Sequence, residues 1–190
     1  VKTFKNIRIL QISTRPFDFW TTMCNEGELL EKFNIQLSPI PMTELIEEIK
    51  AVKEEKTKLN EMLDVIHETM EVQIKENEVE NVAALAAANE KPRGKIWLSG
   101  SGDPVLECIA DGNRIMPCAA NAILNEEGIP VVCETDIHGA VTALLVEAAG
   151  MGEVRSFFAD WTIRHPDLDN GELLQHCGPW PVSVAAEKPN

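Results

Sequence analysis

Three polar side chains, Glu134, Asp160 and His176, each stand directly after a short apolar stretch of the sequence. Each stretch is typical of a buried strand, which would deliver the polar group to a fixed position at its end. The intervals between the three residues leave room for one secondary-structure element each. Two carboxylates and one imidazole are ligands that Mn²⁺, Mg²⁺ or Co²⁺ accept. The pattern therefore predicts a divalent-metal site.

Simpler interpretations of these residues remain open at this level. An acid at a strand end often caps the next helix, and Glu134 and Asp136 stand just before a helix predicted to begin near Gly139. Asp136 either orients a ligand or caps that helix. His176, beside Cys177, is compatible with a hydrogen-bonded core residue as well as with a ligand.

The composition narrows the class of protein. The 190 residues suffice for one domain or two small ones, and the contents of 44% hydrophobic and 25% charged residues are near the average for globular chains. A net charge of −14 repels phosphate backbones, so no nucleic-acid partner is expected. No apolar run is long enough to span a membrane and no signal-peptide pattern opens the sequence, so no membrane association and a cytoplasmic location are predicted.

The five cysteines show neither zinc-type nor CxxC spacing. In a cytoplasmic chain we expect them to be reduced and buried, in preference to a redox or zinc-binding role. They are Cys24, Cys108, Cys118, Cys133 and Cys177.

Apolar patterning predicts an α/β fold with a mostly parallel sheet. Strands are predicted at 7–12, 35–40 (ended by Pro39 and Pro41), 95–98, 129–133 and 157–159. Helices are predicted at 20–33, in a long acidic tract at 43–88 broken near residue 76, at 118–127 and at 139–149. Ligands of such sheets bind beyond the carboxyl ends of the strands, where Glu134 stands. The loop at 99–104 lacks the phosphate-binding fingerprints and is predicted to be a turn.

Several segments resemble one enzyme superfamily. The string from Cys133 to Leu145 (CETDIHGAVTALL), the segment FADW at 158–161 and the segment HCG at 176–178 resemble the core pattern of the L-fucose isomerase and L-arabinose isomerase superfamily. The stretches 11–16 and 25–33 resemble the opening of that family's middle domain.

The resemblance implies an architecture. Residues 1–150 would form a Rossmann-like α/β middle domain, and residues 151–190 the start of a catalytic C-terminal domain, so that the chain is predicted to be a fragment of a longer enzyme. Relatives form homo-oligomers with active sites near subunit boundaries, and Arg15 and the pair Asn25–Glu26 would lie close to such a boundary.

The resemblance also implies an activity, the interconversion of an aldose and a ketose through a cis-enediol. Glu134 and Asp160 would bind catalytic Mn²⁺, with Mg²⁺ or Co²⁺ as substitutes, and His176 would be a further ligand. Such chemistry needs a base for the proton and a group that holds the oxyanion. The two acids would manage the protons, and which of them is the base stays open.

Three further residues are predicted to bind the sugar substrate. Trp161 would form an apolar wall, although a tryptophan after a buried strand is often part of the core. Arg15 would contact substrate or, alternatively, pair with surface acids, and Asp136 is the third. The family's second histidine ligand and a substrate-contacting glutamine find no match in this chain, the latter within 89–114. Two alternative functions are a non-catalytic sugar- or small-ligand-binding module and an oligomerisation segment based on the acidic helices.

Overall fold

A computed structural model describes residues 6–89, 96–99, 117–176 and 179–188. The predicted turn beyond Ser99, most of the unmatched stretch 89–114, Cys108 and Cys177 lie outside these ranges. Within them, no helix is both long and apolar enough to cross a membrane.

The centre of the fold is a sheet whose strands all run parallel. Its members are β1 (Arg8–Ile12), β2 (Gln36–Ile40), β3 (Ile96–Ser99) and β4 (Val131–Val132). They lie in the order β2-β1-β3-β4, and every neighbouring pair is parallel. The predicted α/β class is confirmed, although helices account for more of the chain than strands do.

Six α-helices flank the strands in the part of the chain that the structure describes. They are α1 (Glu26–Phe33), α2 (Met42–Glu54), α3 (Lys56–Thr69), α4 (Glu76–Asn89), α5 (Pro117–Glu126) and α6 (Ile137–Ala149). The helix predicted from residue 20 begins only at Glu26, because the side chain of Asn25 accepts a hydrogen bond from the backbone N–H of Glu28 and caps it there.

Strand β1 is covered on both faces. Ile7 and Ile9 pack with α1 and α6, whereas Leu10 and Ile12 pack with α2 to α5. This division follows from the alternation of side chains along a strand. A parallel sheet buried on both faces is the arrangement that such apolar strands require.

The acidic tract forms three helices, with breaks at Glu55 and around residues 70–75, and it is not an exposed rod. The apolar faces of α2 and α3 join one core cluster with α4, whose residues from Asn81 to Ala88 are all buried. The acidic helical tract that suggested an oligomerisation segment therefore packs its apolar faces within the chain itself.

The prediction that Pro39 ends its strand is wrong. Pro39 lies inside β2, opposite Gln11 of β1. Strand β2 is at the edge of the sheet, where a proline without an N–H can be accommodated because that side needs no partner.

Strand β4 is shorter than predicted, and the buried side chain of Asn125 bonds the backbone N–H and C=O groups of Val131. The Asn125 side chain accepts a bond from the N–H of Val131 and donates to the carbonyl oxygens of Val131 and Pro179. The amide of Asn125 thus occupies the outer edge of β4 and ties the segment around Pro179 to it. This contact fixes the strand that leads to Glu134.

A separate antiparallel hairpin consists of β5 (Asp160–Arg164) and β6 (Glu172–Gln175). The strand predicted at 157–159 is wrong, because Phe157 packs on the ring of Trp180 at 4.7 Å between centroids and Phe158 packs against a core cluster. These aromatic contacts hold the segment without strand pairing. Asp160 therefore begins a strand, and the four residues of β6 are exposed where a buried segment was expected.

Candidate functional site

Unusual backbone conformations gather where β1 and β4 end. Ser13 has φ of 60° just after β1, and Glu134 and Thr135 both have φ of 57° just after β4. Non-glycine residues rarely adopt such values, and for the β-branched Thr135 the conformation is a clear outlier. Strain of this kind costs about 1–3 kcal/mol per residue and clusters at functional sites. The carboxyl edge of the sheet is therefore the candidate site.

Glu134 stands at this edge, as the sequence predicted. It belongs to a short 3₁₀ turn, Cys133–Thr135, that joins β4 to α6. The cap of α6 is Asp136, whose Oδ1 accepts a hydrogen bond of 2.9 Å from the N–H of Gly139. The capping alternative is thus confirmed for Asp136, and Glu134 is not the residue that caps the helix.

Gly139 allows the turn to sit close to the start of α6. A Cβ atom at this position would lie 2.6 Å from Oδ2 of Asp136 and 3.1 Å from Cγ1 of Val132. The absence of a side chain here therefore lets the capping carboxylate and β4 pack against the helix.

An open cleft of about 650 Å³ lies at the same edge of the sheet. This volume falls within the range of ~300–1,000 Å³ that is usual for small-molecule sites. The loop after β1 and the turn after β4 both contribute to its lining, which includes Thr14, Arg15, Trp20, Cys24, Glu26 and Thr135.

Arg15 is held in this cleft by contacts within its own loop. Its Nη1 donates hydrogen bonds of 3.0 Å to the carbonyl oxygens of Pro16 and Phe17. Its guanidinium carbon lies 4.9 Å from the ring centroid of Trp20, which Phe17 contacts edge-on. Among the described carboxylates Arg15 has no ion-pair partner, so the alternative of pairing with surface acids is not observed.

Two acids place negative charge near Cys24, which lines the cleft. Burial raises the pKa of the Cys24 thiol, and the charges of Glu26 and Asp136 raise it further. Cys24, Cys118 and Cys133 form no disulfide with one another, and they are half-buried where buried cysteines were predicted.

Thr135 lines the cleft and is 3% exposed, and its hydroxyl has no hydrogen-bond partner within the described structure. An unpaired buried hydroxyl costs about 1–3 kcal/mol. The positive φ and the unpaired hydroxyl together make Thr135 an unusual position in the lining of the cleft.

We expect Thr135→Val to raise the free energy of unfolding by about 1 kcal/mol, because valine keeps the shape and removes the unpaired hydroxyl. Urea denaturation measures the change. Thr142→Val is the matched control, since the Thr142 hydroxyl donates a 2.8 Å hydrogen bond to the carbonyl of His138. Equal destabilisation by both substitutions would show that the Thr135 hydroxyl is satisfied in solution.

The hairpin brings together two of the predicted metal ligands. Oδ2 of Asp160 lies 3.1 Å from Nδ1 of His176, with side-chain exposures of 60% and 12%. The contact follows from the register, in which Asp160 pairs with Gln175, the residue before His176. Adjacent ligands of an octahedral ion with bonds near 2.1 Å are about 3 Å apart, so the donor types and their separation fit two neighbouring ligand positions.

Glu134 is not gathered with this pair. Within residues 6–89, 96–99, 117–176 and 179–188, no three His, Cys, Asp or Glu side chains form a group that could hold a metal ion. Trp161 follows Asp160 on β5 and is 78% exposed, so it is not a core tryptophan. The structure thus presents a two-residue cluster on the hairpin and a cleft at the sheet edge.

Thr135 and Trp20 line the cleft, but neither was predicted from the sequence to belong to a site. Thr135 lies within the string CETDIHGAVTALL, between Glu134 and Asp136, the two acids that were predicted to have a role in the site. Trp20 was assigned to a helix, although the cluster of Phe17, Phe19 and Trp20 directly after a strand end could have indicated an aromatic loop.

No family model matches the chain. One curated relative, a protein named sulfoquinovose isomerase from Alkalicoccus urumqiensis, is 24% identical over 190 residues, which is 98% of this chain and 42% of the relative. The chain therefore spans about two fifths of the length of the relative it matches. Over nearly its whole length, it is similar to a protein named as a sugar isomerase.

Proposed function

We propose that this chain is part of a metal-dependent aldose–ketose isomerase. One observation carries the proposal. Oδ2 of Asp160 and Nδ1 of His176, which were predicted from the sequence to be metal ligands, lie 3.1 Å apart, Asp160 at the start of β5 and His176 just after β6. The similarity to a protein named sulfoquinovose isomerase supports the same class of reaction. The finer assignment to the L-fucose and L-arabinose isomerase superfamily, with a Rossmann-like middle domain, is part of this proposal.

Asp160 and His176 would hold two coordination positions of a Mn²⁺, Mg²⁺ or Co²⁺ ion. Glu134 is proposed as a third ligand, which requires its turn and the hairpin to come together in the longer protein or in a homo-oligomer. When bound, the ion would polarise the sugar carbonyl and stabilise negative charge on its oxygen. The pairing of β5 with β6 would set the spacing of these two ligands.

The chain's own acids would manage the protons. Isomerisation moves one proton between C1 and C2, and a positioned carboxylate is a suitable base. Glu134, in its strained turn beside the cleft, and Asp160, on the hairpin, are the two candidates. Asp136 would keep the turn in position through its cap, and the exposed ring of Trp161 would cover an apolar face of the sugar.

The test is conversion of aldose to ketose by the natural-length protein with Mn²⁺ added. Candidate aldoses, sulfoquinovose among them, are incubated with and without EDTA. We expect ketose to form with Mn²⁺, to stop forming with EDTA and to form again when Mn²⁺ is restored. Sugar binding that ignores EDTA, without any ketose, would instead support the alternative of a non-catalytic binding module.

A further inference from the structure

The cleft at the carboxyl edge of the sheet contains a cation, Arg15, some of whose N–H donors have no partner in the described part of the chain. A guanidinium carries five N–H groups in a planar fork. In Arg15, Nη1 is occupied by the carbonyl oxygens of Pro16 and Phe17. Neither Nε nor Nη2 has a hydrogen-bond partner among the described residues. That free edge is the one that binds two oxygens of an oxyanion side by side.

We infer that Arg15 binds an anionic substituent of the sugar, a sulfonate or a phosphate group, in this cleft. The inference rests on the proposed function for the statement that the ligand is a sugar. It makes Arg15 the residue that selects acidic sugars over neutral ones.

The charge of the whole chain makes a local cation necessary for such a ligand. With 31 acidic against 17 basic residues, the protein repels anions in general. An anionic sugar therefore needs a specific positive group, and Arg15 lies in a concave site with its guanidinium over the Trp20 ring. The stacking also holds the guanidinium in place, which lowers the entropic cost of binding.

The opposite charge in the same cleft suits the rest of a sugar. Glu26 lines the cleft, and the carboxylates of Glu26 and Asp136 both act on Cys24. Carboxylates accept hydrogen bonds from hydroxyl groups, whereas they repel a second anion. A ligand with hydroxyls at one end and an oxyanion at the other matches this polarity better than a neutral sugar or an inorganic anion does.

The purely structural alternative is that Arg15 only fastens its loop through the two carbonyl oxygens. Other arginines of this chain have such a role, since Arg155 donates to the carbonyl oxygens of Glu126 and Gly152. Arg155 does so through Nε as well as Nη1, which leaves no free Nε edge for an oxyanion. A loop fastener would also affect neutral and anionic ligands alike.

The test is calorimetric titration of the natural-length protein with sulfoquinovose, glucose 6-phosphate and glucose. Sulfoquinovose is a six-carbon aldose with a sulfonate at C6, so the three ligands differ chiefly in the group at one carbon. We expect at least one anionic sugar to bind more tightly than glucose. The tighter of the two identifies sulfonate or phosphate as the natural group.

Arg15→Gln should weaken binding of that anionic sugar by about 10- to 100-fold, as loss of a charge-assisted hydrogen bond predicts, and leave glucose binding unchanged. Arg15→Lys, which keeps the charge without the fork, should weaken binding by a smaller factor. The matched control is Arg8→Gln, which removes the same charge from an exposed residue at the other end of β1 and should leave all three affinities unchanged.

Equal affinities of Arg15→Gln and the unaltered protein for the anionic sugar would overturn the inference. It also fails if Arg8→Gln weakens binding as much, if glucose binding falls in parallel, or if neither anionic sugar binds better than glucose. Each of these results leaves the proposed isomerase intact so long as a neutral aldose is converted with Mn²⁺. Absence of any aldose conversion would refute the proposed function instead.

Discussion

Asp160→Asn is expected to lower the affinity for Mn²⁺ by at least about 10- to 100-fold, a loss that occurs even when a residue only orients a metal ligand. Asparagine keeps the shape of the side chain and removes the charge that the ion requires. The loss should appear whether Asp160 binds the ion directly or orients His176, its 3.1 Å neighbour. Titration of the natural-length protein with Mn²⁺, followed by electron paramagnetic resonance of the free ion, measures the affinity directly.

The control is Asp167→Asn, which removes the same charge from an exposed residue in the connection between β5 and β6. It should retain the original affinity. If the two variants bind Mn²⁺ equally well, the hairpin pair is a surface ion pair without a ligand role. His176→Gln probes the other member of the same pair and should lose affinity in parallel with Asp160→Asn.

Glu134→Gln is expected to lower turnover by about 10²- to 10⁴-fold, the contribution usual for a positioned acid or base. Glutamine has the same length as glutamate, so the strained turn and its neighbours should keep their structure. The rate of ketose formation and the midpoint of urea unfolding are measured on the same preparation. The rate should collapse while the midpoint stays within experimental error.

The companion variant is Glu153→Gln, at an exposed position after α6, which should leave the rate unchanged. Measuring Mn²⁺ affinity of Glu134→Gln separates its two proposed roles, because a ligand loses affinity and a pure base does not. Turnover retained in Glu134→Gln would refute its assignment and leave Asp160 as the acid to examine.

The parallel sheet could be predicted because its strands are short, apolar and bounded by clear breakers. Along β1, Ile9 and Leu10 face opposite cores, so a continuous apolar run was the correct sign of a strand buried on both faces. The cap of α6 could be predicted as well, since Asp136 is a residue type that accepts bonds from free helix N–H groups, whereas the cap of α1 at Asn25 was missed.

The hairpin was harder to predict because its strands are not buried. The apolar pattern at 157–159 predicted a strand there. Instead, the ring of Phe157 packs on Trp180 and that of Phe158 packs against a core cluster. Strand β6 is exposed along its length, so hydrophobic periodicity could not indicate its environment. Even so, Asp160 and His176 lie side by side. The resemblance to the isomerase superfamily had indicated these two residues where hydrophobic periodicity could not.

The geometry of the cleft could not be predicted from the types of its residues. Positive φ at Glu134 and Thr135 is a property of the tertiary structure, because neither residue favours that conformation in a short segment. The contact between Arg15 and Trp20 likewise depends on the path of the segment between them, and Trp20 begins a short 3₁₀ turn where an α-helix was predicted. Both features became visible only when the ends of β1 and β4 were placed at the same edge of the sheet.

The most direct test of the proposed isomerase is hydrogen exchange at C2 of the sugar in D₂O. Proton magnetic resonance follows the C2–H signal of an aldose incubated with the natural-length protein and Mn²⁺. Proton transfer through an enediol predicts that the ketose carries deuterium at C1, that aldose re-formed by the reverse reaction carries deuterium at C2, and that EDTA stops both changes. A ketose that forms without any uptake of deuterium, or a C2–H signal and an aldose that both stay unchanged with every sugar tested, would contradict it.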